Sequence, residues 1–160
     1  MIVASEITEI ELARDKLLRE VTELVGAGLD RSEKIQKIAD TVRLFGDYRW
    51  VGIYDVDEHQ ISVIAWSGIG APAYPCFRAT QGLSGEAVRT RRTVISNDVA
   101  NDPRYLTAFG NTQSEIIVPI IAEPGGPVIG TIDVESDQTD AFGNDDRLVL
   151  EECASLLAQL

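Results

Sequence analysis

Two runs rich in β-branched residues, Ser114-Glu115-Ile116-Ile117-Val118-Pro119-Ile120-Ile121 and Val128-Ile129-Gly130-Thr131-Ile132-Asp133-Val134-Glu135-Ser136, bracket a turn through Gly125-Gly126-Pro127. Runs of this kind around a Pro/Gly turn predict a β-hairpin. Side chains alternate along a strand, so Val128, Gly130, Ile132 and Val134 share one face, and Ile129, Thr131, Asp133 and Glu135 the other. One face therefore ends in two carboxylates, and Glu115 opens the partner strand. Three acids are expected to gather near one end of an apolar hairpin. In a low-dielectric cleft they would raise one another's pKa unless a cation entered, and an ammonium group meets that requirement.

The rest of the chain supplies the elements that such a hairpin needs beside it. Ile7, Ile10, Leu17, Val21 and Leu24, interrupted by Arg14, recur at helical spacing and predict a first helix with a narrow apolar seam, stopped by Gly26 and Gly28. The seam fits a helix lying on its own domain or a dimer interface. Asp30 and Glu33 resemble a capping box before Ile35, Ile38, Ala39, Val42 and Phe45, which mark a second helix ending at Gly46 and Asp47. Trp50–Val56 and Gln60–Trp66 are aromatic and β-branched runs joined by an acidic turn, hence a hairpin. Trp50, Gly52 and Tyr54 share a face of its first strand, and the glycine either leaves room against the sheet or marks close packing.

A Gly/Ala/Pro loop over 67–75 leads to an extended piece at Cys76-Phe77-Arg78, a short helix that starts at Gln81-Gly82 and ends near Arg91, a short strand at Val94-Ile95 and a long polar connection from Asn97 to Tyr105 that is a candidate lid. Val149, Cys153, Leu156, Leu157 and Leu160 predict a closing helix. Neighbouring strands with helices at both ends predict an α+β domain, an antiparallel sheet covered on one face by the terminal helices. The expected division is an N-terminal helix over 1–29 and one domain over 30–160.

Composition narrows the function. The 160 residues include 26 acidic and 14 basic ones, a net charge of -12 that would repel phosphate backbones and anionic lipid. Nucleic acid and membrane are not expected partners. No apolar run approaches the roughly 20 residues that cross a bilayer, and Met1-Ile2-Val3-Ala4-Ser5-Glu6 lacks a signal peptide's regions, so a soluble, cytoplasmic protein is expected. Cys76 and Cys153 are too scattered for a Cys-x-x-Cys site, and His59, the only histidine, lies in a polar turn. Neither a metal, nor a cofactor, nor a Ser/His/Asp triad is expected.

The segments Gly82-Leu83-Ser84-Gly85-Glu86-Ala87, Asn97-Asp98-Val99, Asp102-Pro103-Arg104-Tyr105, Ser114–Pro119, Val128–Ser136 and Ala141-Phe142 together resemble a GAF domain. The resemblance covers residues from about Asp30 onward. It implies a GAF-like antiparallel sheet with helices behind it, a ligand pocket in front, and frequent dimers. Within that family the chain is similar to the free methionine-(R)-sulfoxide reductases, on Trp50, Gly52 and Tyr54, on Ser114-Glu115-Ile116, and on Asp133 with Glu135 in place of a second Asp. There the aromatics surround the sulfoxide and the acids hold the amino-acid end. The resemblance thus implies a pocket for a free amino acid or similar zwitterion.

One departure bears on chemistry. Sulfoxide reduction needs a thiol to attack sulfur and a second to resolve the sulfenic acid. The resemblance puts cysteines where this chain has Ser84 and Ala108, and Cys76 lies about two residues from the remaining position. The expectation is therefore a small-molecule-binding, sensory or regulatory module without turnover. Trp50 and Tyr54 are its walls, and Ser114, Glu115, Asp133 and Glu135 its polar end. Two alternatives stand beside it: a reductase working through Cys76 with an external thiol, and a dimerisation or signalling module without a ligand.

Overall fold

The hairpin of Ser114–Ile121 and Val128–Ser136 forms as expected in a computed structural model that describes residues 4–107 and 109–160, with side chains described from Thr8 onward. The expectations at Ala108, at Met1-Ile2-Val3 and at the Ile7 side chain lie outside the described residues. In chain order the elements are α1 (Ala4–Gly26), α2 (Arg31–Gly46), β1 (Trp50–Val56), β2 (Gln60–Gly68), β3 (Cys76–Arg78), α3 (Gly82–Thr90), β4 (Val94–Ser96), a single 3-10 turn (Val99–Asn101), β5 (Ser114–Ile121), β6 (Val128–Ser136) and α4 (Asn144–Leu157). The strands make one six-stranded sheet in the order β3-β2-β1-β6-β5-β4. Every neighbouring pair is antiparallel. This is the α+β class that the element order predicts.

Local chemistry sets the boundaries. The Asp30 carboxylate accepts from the Glu33 N–H at 2.9 Å and starts α2. Asp47 turns left-handed at φ 49° and ends it, with its own N–H and that of Tyr48 returned to Leu44 and Arg43. At α4 the Asp146 carboxylate accepts from the Gly143 N–H at 3.0 Å. Two register shifts, between Ile53 and Tyr54 against β2 and between Ile120 and Ile121 against β6, are β-bulges that bend the sheet.

The helices α1, α2 and α4 cover one face. Leu17 and Val21 of α1, Ile35, Ile38 and Val42 of α2, and Val149, Leu150, Cys153 and Leu157 of α4 pack on Val51, Ile53, Ile116, Val118, Ile132 and Val134 of the sheet. The second half of the α1 seam thus lies on its own domain, while Ile10 is exposed. On the opposite face α3 packs Leu83 and Ala87 against Val94 and Ile117. An aromatic group of Trp50 and Tyr54 packs around Ile61 beside it, with Phe77 and Phe109 against them. The polar side chains discussed below lie between these two small clusters. Among the described residues, no helix is long and apolar enough to cross a membrane.

Candidate functional site

Alternation along β6 sends Ile132 and Val134 into the helix-covered core and leaves Asp133 and Glu135 on the α3 side. Register then decides their neighbours. Asp133 stands opposite Gly52 of β1 and Ile117 of β5, and Glu135 opposite Trp50 and Glu115. Trp50, Tyr54, Glu115, Asp133 and Glu135 consequently line a single cavity of about 20 Å³, completed by Tyr74, Phe77, Gly82, Leu83, Ser84 and Leu106. That volume is about the room of one water.

The three carboxylates are nearly sealed from solvent, with residue exposures of 7% for Glu115, 4% for Asp133 and 2% for Glu135. The Ser84 hydroxyl donates to Asp133 Oδ2 at 3.0 Å and the Thr112 hydroxyl to Glu135 Oε2 at 2.9 Å. Asp133 Oδ1 is buried with no hydrogen-bond partner, as is Thr131 Oγ1. Burial pushes the Asp133 carboxyl up to about 7, against the pull of the Thr131 and Ser84 hydroxyls, of which only Ser84 forms a geometrically complete bond. Burial also lifts Glu135 to about 7, opposed by the Thr112 hydroxyl and reinforced by the charge on Asp133. Glu115 is raised well above the usual carboxylate range by burial and then by Glu135, Asp133 and Asp102. The Tyr54 phenol is held strongly protonated by burial and by the charges of Asp133, Glu115 and Glu135.

The aromatic walls are braced by their own contacts. Trp50 Nε1 donates to the Gly70 carbonyl at 2.9 Å, and the indole meets the Phe109 ring edge-on at a centroid distance of 5.3 Å. Tyr54 and Phe77 meet edge-on at 6.0 Å. Gly52 is occupied space rather than spare room. A Cβ there would fall 2.2 Å from the Trp50 ring, so the indole folds back over the glycine.

Two sequence-predicted residues are not brought to the cavity. Ser114 is two residues before Ile116, which faces the helix-side core, so alternation turns it away from Glu115, and its hydroxyl donates to the Gln138 carbonyl at 2.5 Å. Cys76 is exposed on β3 and pairs through its thiol with the Gln60 side chain at 3.2 Å, while its neighbour Phe77 is the residue that reaches the cavity. Reading the residues missed Ser84, Thr112, Tyr74, Phe77 and Leu106 as lining or supporting groups. Phe77 was legible from alternation on β3, but the other four reach the site from α3 and from loops, which carry no strand parity. A larger open groove of about 900 Å³ runs beside α3, and within its lining Glu86 and Arg89 pair at 2.7 Å. Among the described residues, no group of three or more His, Cys, Asp or Glu side chains is arranged to hold a metal ion.

Comparison with known proteins agrees with this architecture. A sequence profile of the GAF domain matches residues 16–160. The chain is similar to the free methionine-R-sulfoxide reductase of Saccharomyces cerevisiae, with 30% identity over 112 residues, 69% of this chain. The match spans 62% of the yeast protein's length. Among solved structures, the type II free methionine-R-sulfoxide reductase from Thermoplasma acidophilum shares 29% identity and a TM-score of 0.74, covering 86% of this chain and 92% of that one. The free methionine-R-sulfoxide reductase from Neisseria meningitidis, in complex with its substrate, shares 26% identity and a TM-score of 0.84, covering 94% of this chain and 88% of that one. The chain belongs to the GAF domain family.

Proposed function

We propose that this GAF domain binds a small amine-bearing molecule, a free amino acid among the candidates, in the cavity between β1, β5, β6 and α3. The observation that carries the reading is the convergence of Glu115, Asp133 and Glu135, all buried, on one aromatic-walled cavity. Buried acids without counter-charges are costly, and a bound ammonium offsets that cost by supplying the missing cation. The relatives named above act on free methionine-R-sulfoxide, which is itself an amine-bearing molecule. A cytoplasmic, homodimeric sensory or regulatory module fits the acidic composition and the exposed Ile10 and Leu12 of α1. The test is a thermal-shift screen of amino acids, including both methionine sulfoxide epimers, on wild type and Asp133→Asn. Stabilisation that Asp133→Asn removes is the expected result. No shift with any compound counts against the ligand site and favours an interaction domain.

A second reading, a free methionine-R-sulfoxide reductase, is favoured by the names of the relatives. Its chemistry needs a thiolate beside the sulfoxide. The chain's two cysteines are Cys76, exposed on β3 with its side chain on Gln60, and Cys153, enclosed in the helix-side core with its thiol pushed up to about 12 by burial. Thioredoxin-coupled NADPH consumption that disappears in Cys76→Ser would move the reading from binding to catalysis.

A further inference from the structure

The chain carries a net charge of -12, yet one of its grooves gathers three arginines against a single acid. The groove has a volume of about 410 Å³, within the range of small-molecule sites, and shares no residue with the acid-lined cavity. Three parts of the fold build it. Arg91 caps α3 in a left-handed conformation, φ 58°, and Arg92 and Thr93 follow on the way to β4. β4 is the outermost strand and its pairing ends at Val94 opposite Ile117, so the outer edge of β5 beyond Ile117 has no strand beside it. Val118, Pro119 and Ile121 of that stretch and Ala154 of α4 supply the apolar part of the lining. Arg147 and Glu151 come from α4.

The charges do not cancel. Glu151 is already engaged: the Thr93 hydroxyl donates to its Oε1 at 2.7 Å, and Arg147 Nη1 donates to the same carboxylate at 3.2 and 3.3 Å. Arg147 Nη2 also donates to Asn144 Oδ1 at 2.6 Å, so this guanidinium is both neutralised and fixed. Arg91 donates to the Gly126 carbonyl, a contact that holds the side chain and leaves its charge. Among the described residues, no hydrogen bond or ion pair engages the exposed Arg92 side chain. The guanidinium charges of Arg91 and Arg92 are left uncompensated beside an apolar surface.

We propose that this groove binds a doubly charged oxyanion carried on an apolar group, a phosphate monoester, independently of the amine site. Guanidinium groups recognise phosphate oxygens through paired, charge-assisted hydrogen bonds. A phosphate monoester carries about -1.5 to -2 charges at pH 7 and matches the two uncompensated arginines, whereas a single carboxylate leaves one of them unpaired. The uncovered side chains of β5 receive the apolar group. The net negative charge of the chain does not forbid this, because physiological salt screens charges beyond about 8 Å while the arginines act in contact. Pro119 has no N–H to offer an added strand, so a small molecule suits this edge better than an extended peptide.

The experiment is isothermal titration of the full chain at pH 8 and physiological salt with phenyl phosphate, inorganic phosphate, benzoate and phenol. The expected result is phenyl phosphate bound at a single site, about tenfold tighter than inorganic phosphate or benzoate, with no binding of phenol. Arg92→Gln removes no contact of the fold and should weaken phenyl phosphate about tenfold, the scale of one hydrogen bond to a charged group, and Arg91→Gln should do the same. Inorganic phosphate or benzoate binding as tightly as phenyl phosphate overturns the pairing of a dianion with an apolar group. No binding of phenyl phosphate, or binding that both substitutions leave unchanged, overturns the site. The comparison of ligands on wild type decides the question even where a variant folds poorly.

Discussion

Glu115 and Glu135 stand directly opposite each other on β5 and β6, each at most 7% exposed. Like charges facing each other across a sheet repel, and burial removes the water that would screen them. Replacing Glu115 by Gln keeps the shape and removes one of the two charges. Glu115→Gln is expected to raise the unfolding free energy of the ligand-free protein at pH 8 by about 1–3 kcal/mol, the scale of desolvating one polar group that has no partner. Urea denaturation measures it, and a loss of stability at that pH would show that Glu115 is held by a favourable partner.

Stability should fall as pH rises from about 4 to about 7. Asp133 and Glu135 have ordinary values of 3.8 and 4.5 and are both raised to about 7 in the folded protein. Within that window the folded state keeps protons that the unfolded state has released, so the slope of unfolding free energy against pH is negative. Above about 7 these two groups are ionised in both states and their share of the slope ends. The groups facing these two acids, Glu115 and Tyr54, are also raised and work in the same direction. Asp102, lowered by its hydrogen bond with Arg104, and Asp57, lowered by the His59 and Gln60 backbone N–H groups, act oppositely and lose their contribution only on stronger acidification. Urea midpoints higher at pH 5 than at pH 8 are the expected outcome, and a saturating amine should narrow the gap.

Gly52→Ala tests whether the indole of Trp50 is locked in place. The new methyl carbon would fall 2.2 Å from the Trp50 ring, so the ring or the strand must move. Overpacking of this kind costs about 1–3 kcal/mol. Denaturation should register that loss, and tryptophan emission should change because the Nε1 bond to Gly70 and the Phe109 contact are disturbed together. Unchanged emission with unchanged stability would mean that the ring has free space.

The two thiols should react very differently. Cys76 is exposed, whereas Cys153 is buried between α4 and the sheet with its thiol pushed up to about 12. Native protein is expected to consume one equivalent of a disulfide reagent quickly and a second only in denaturant. Cys76→Ser should abolish the fast phase, and a fast phase that persists would mean that the α4 face opens readily.

Most of the architecture was legible because it is written in short-range patterns. The acidic cap at Asp30, the stop at Asp47 and the 3.6-residue spacing of Ile35, Ile38 and Val42 define α2. The parity of β6 likewise separates Ile132 and Val134 from Asp133 and Glu135. The same parity put Trp50 and Tyr54 on one face of β1, and the pairing of β1 with β6 brings that face beside the acids. Parity also turns Ser114 to the face opposite Glu115, although the family resemblance grouped the two.

By itself, then, the sequence determined which side chains share a face, because strand and helix periodicity is a property of the local backbone. Only the tertiary structure decided which faces meet. Nothing local requires Glu135 to be opposite Glu115, Ser84 to reach Asp133 from α3, or Thr112 to reach Glu135 from a loop. Nor does anything local leave Asp133 Oδ1 without a partner or place Cys76 outside the cavity while Phe77 closes it. Those relations come from strand register, bulges and loop packing, which are settled by the burial of the whole core. The acids are uncharged or uncompensated as a consequence of that enclosure rather than of their spacing in the chain.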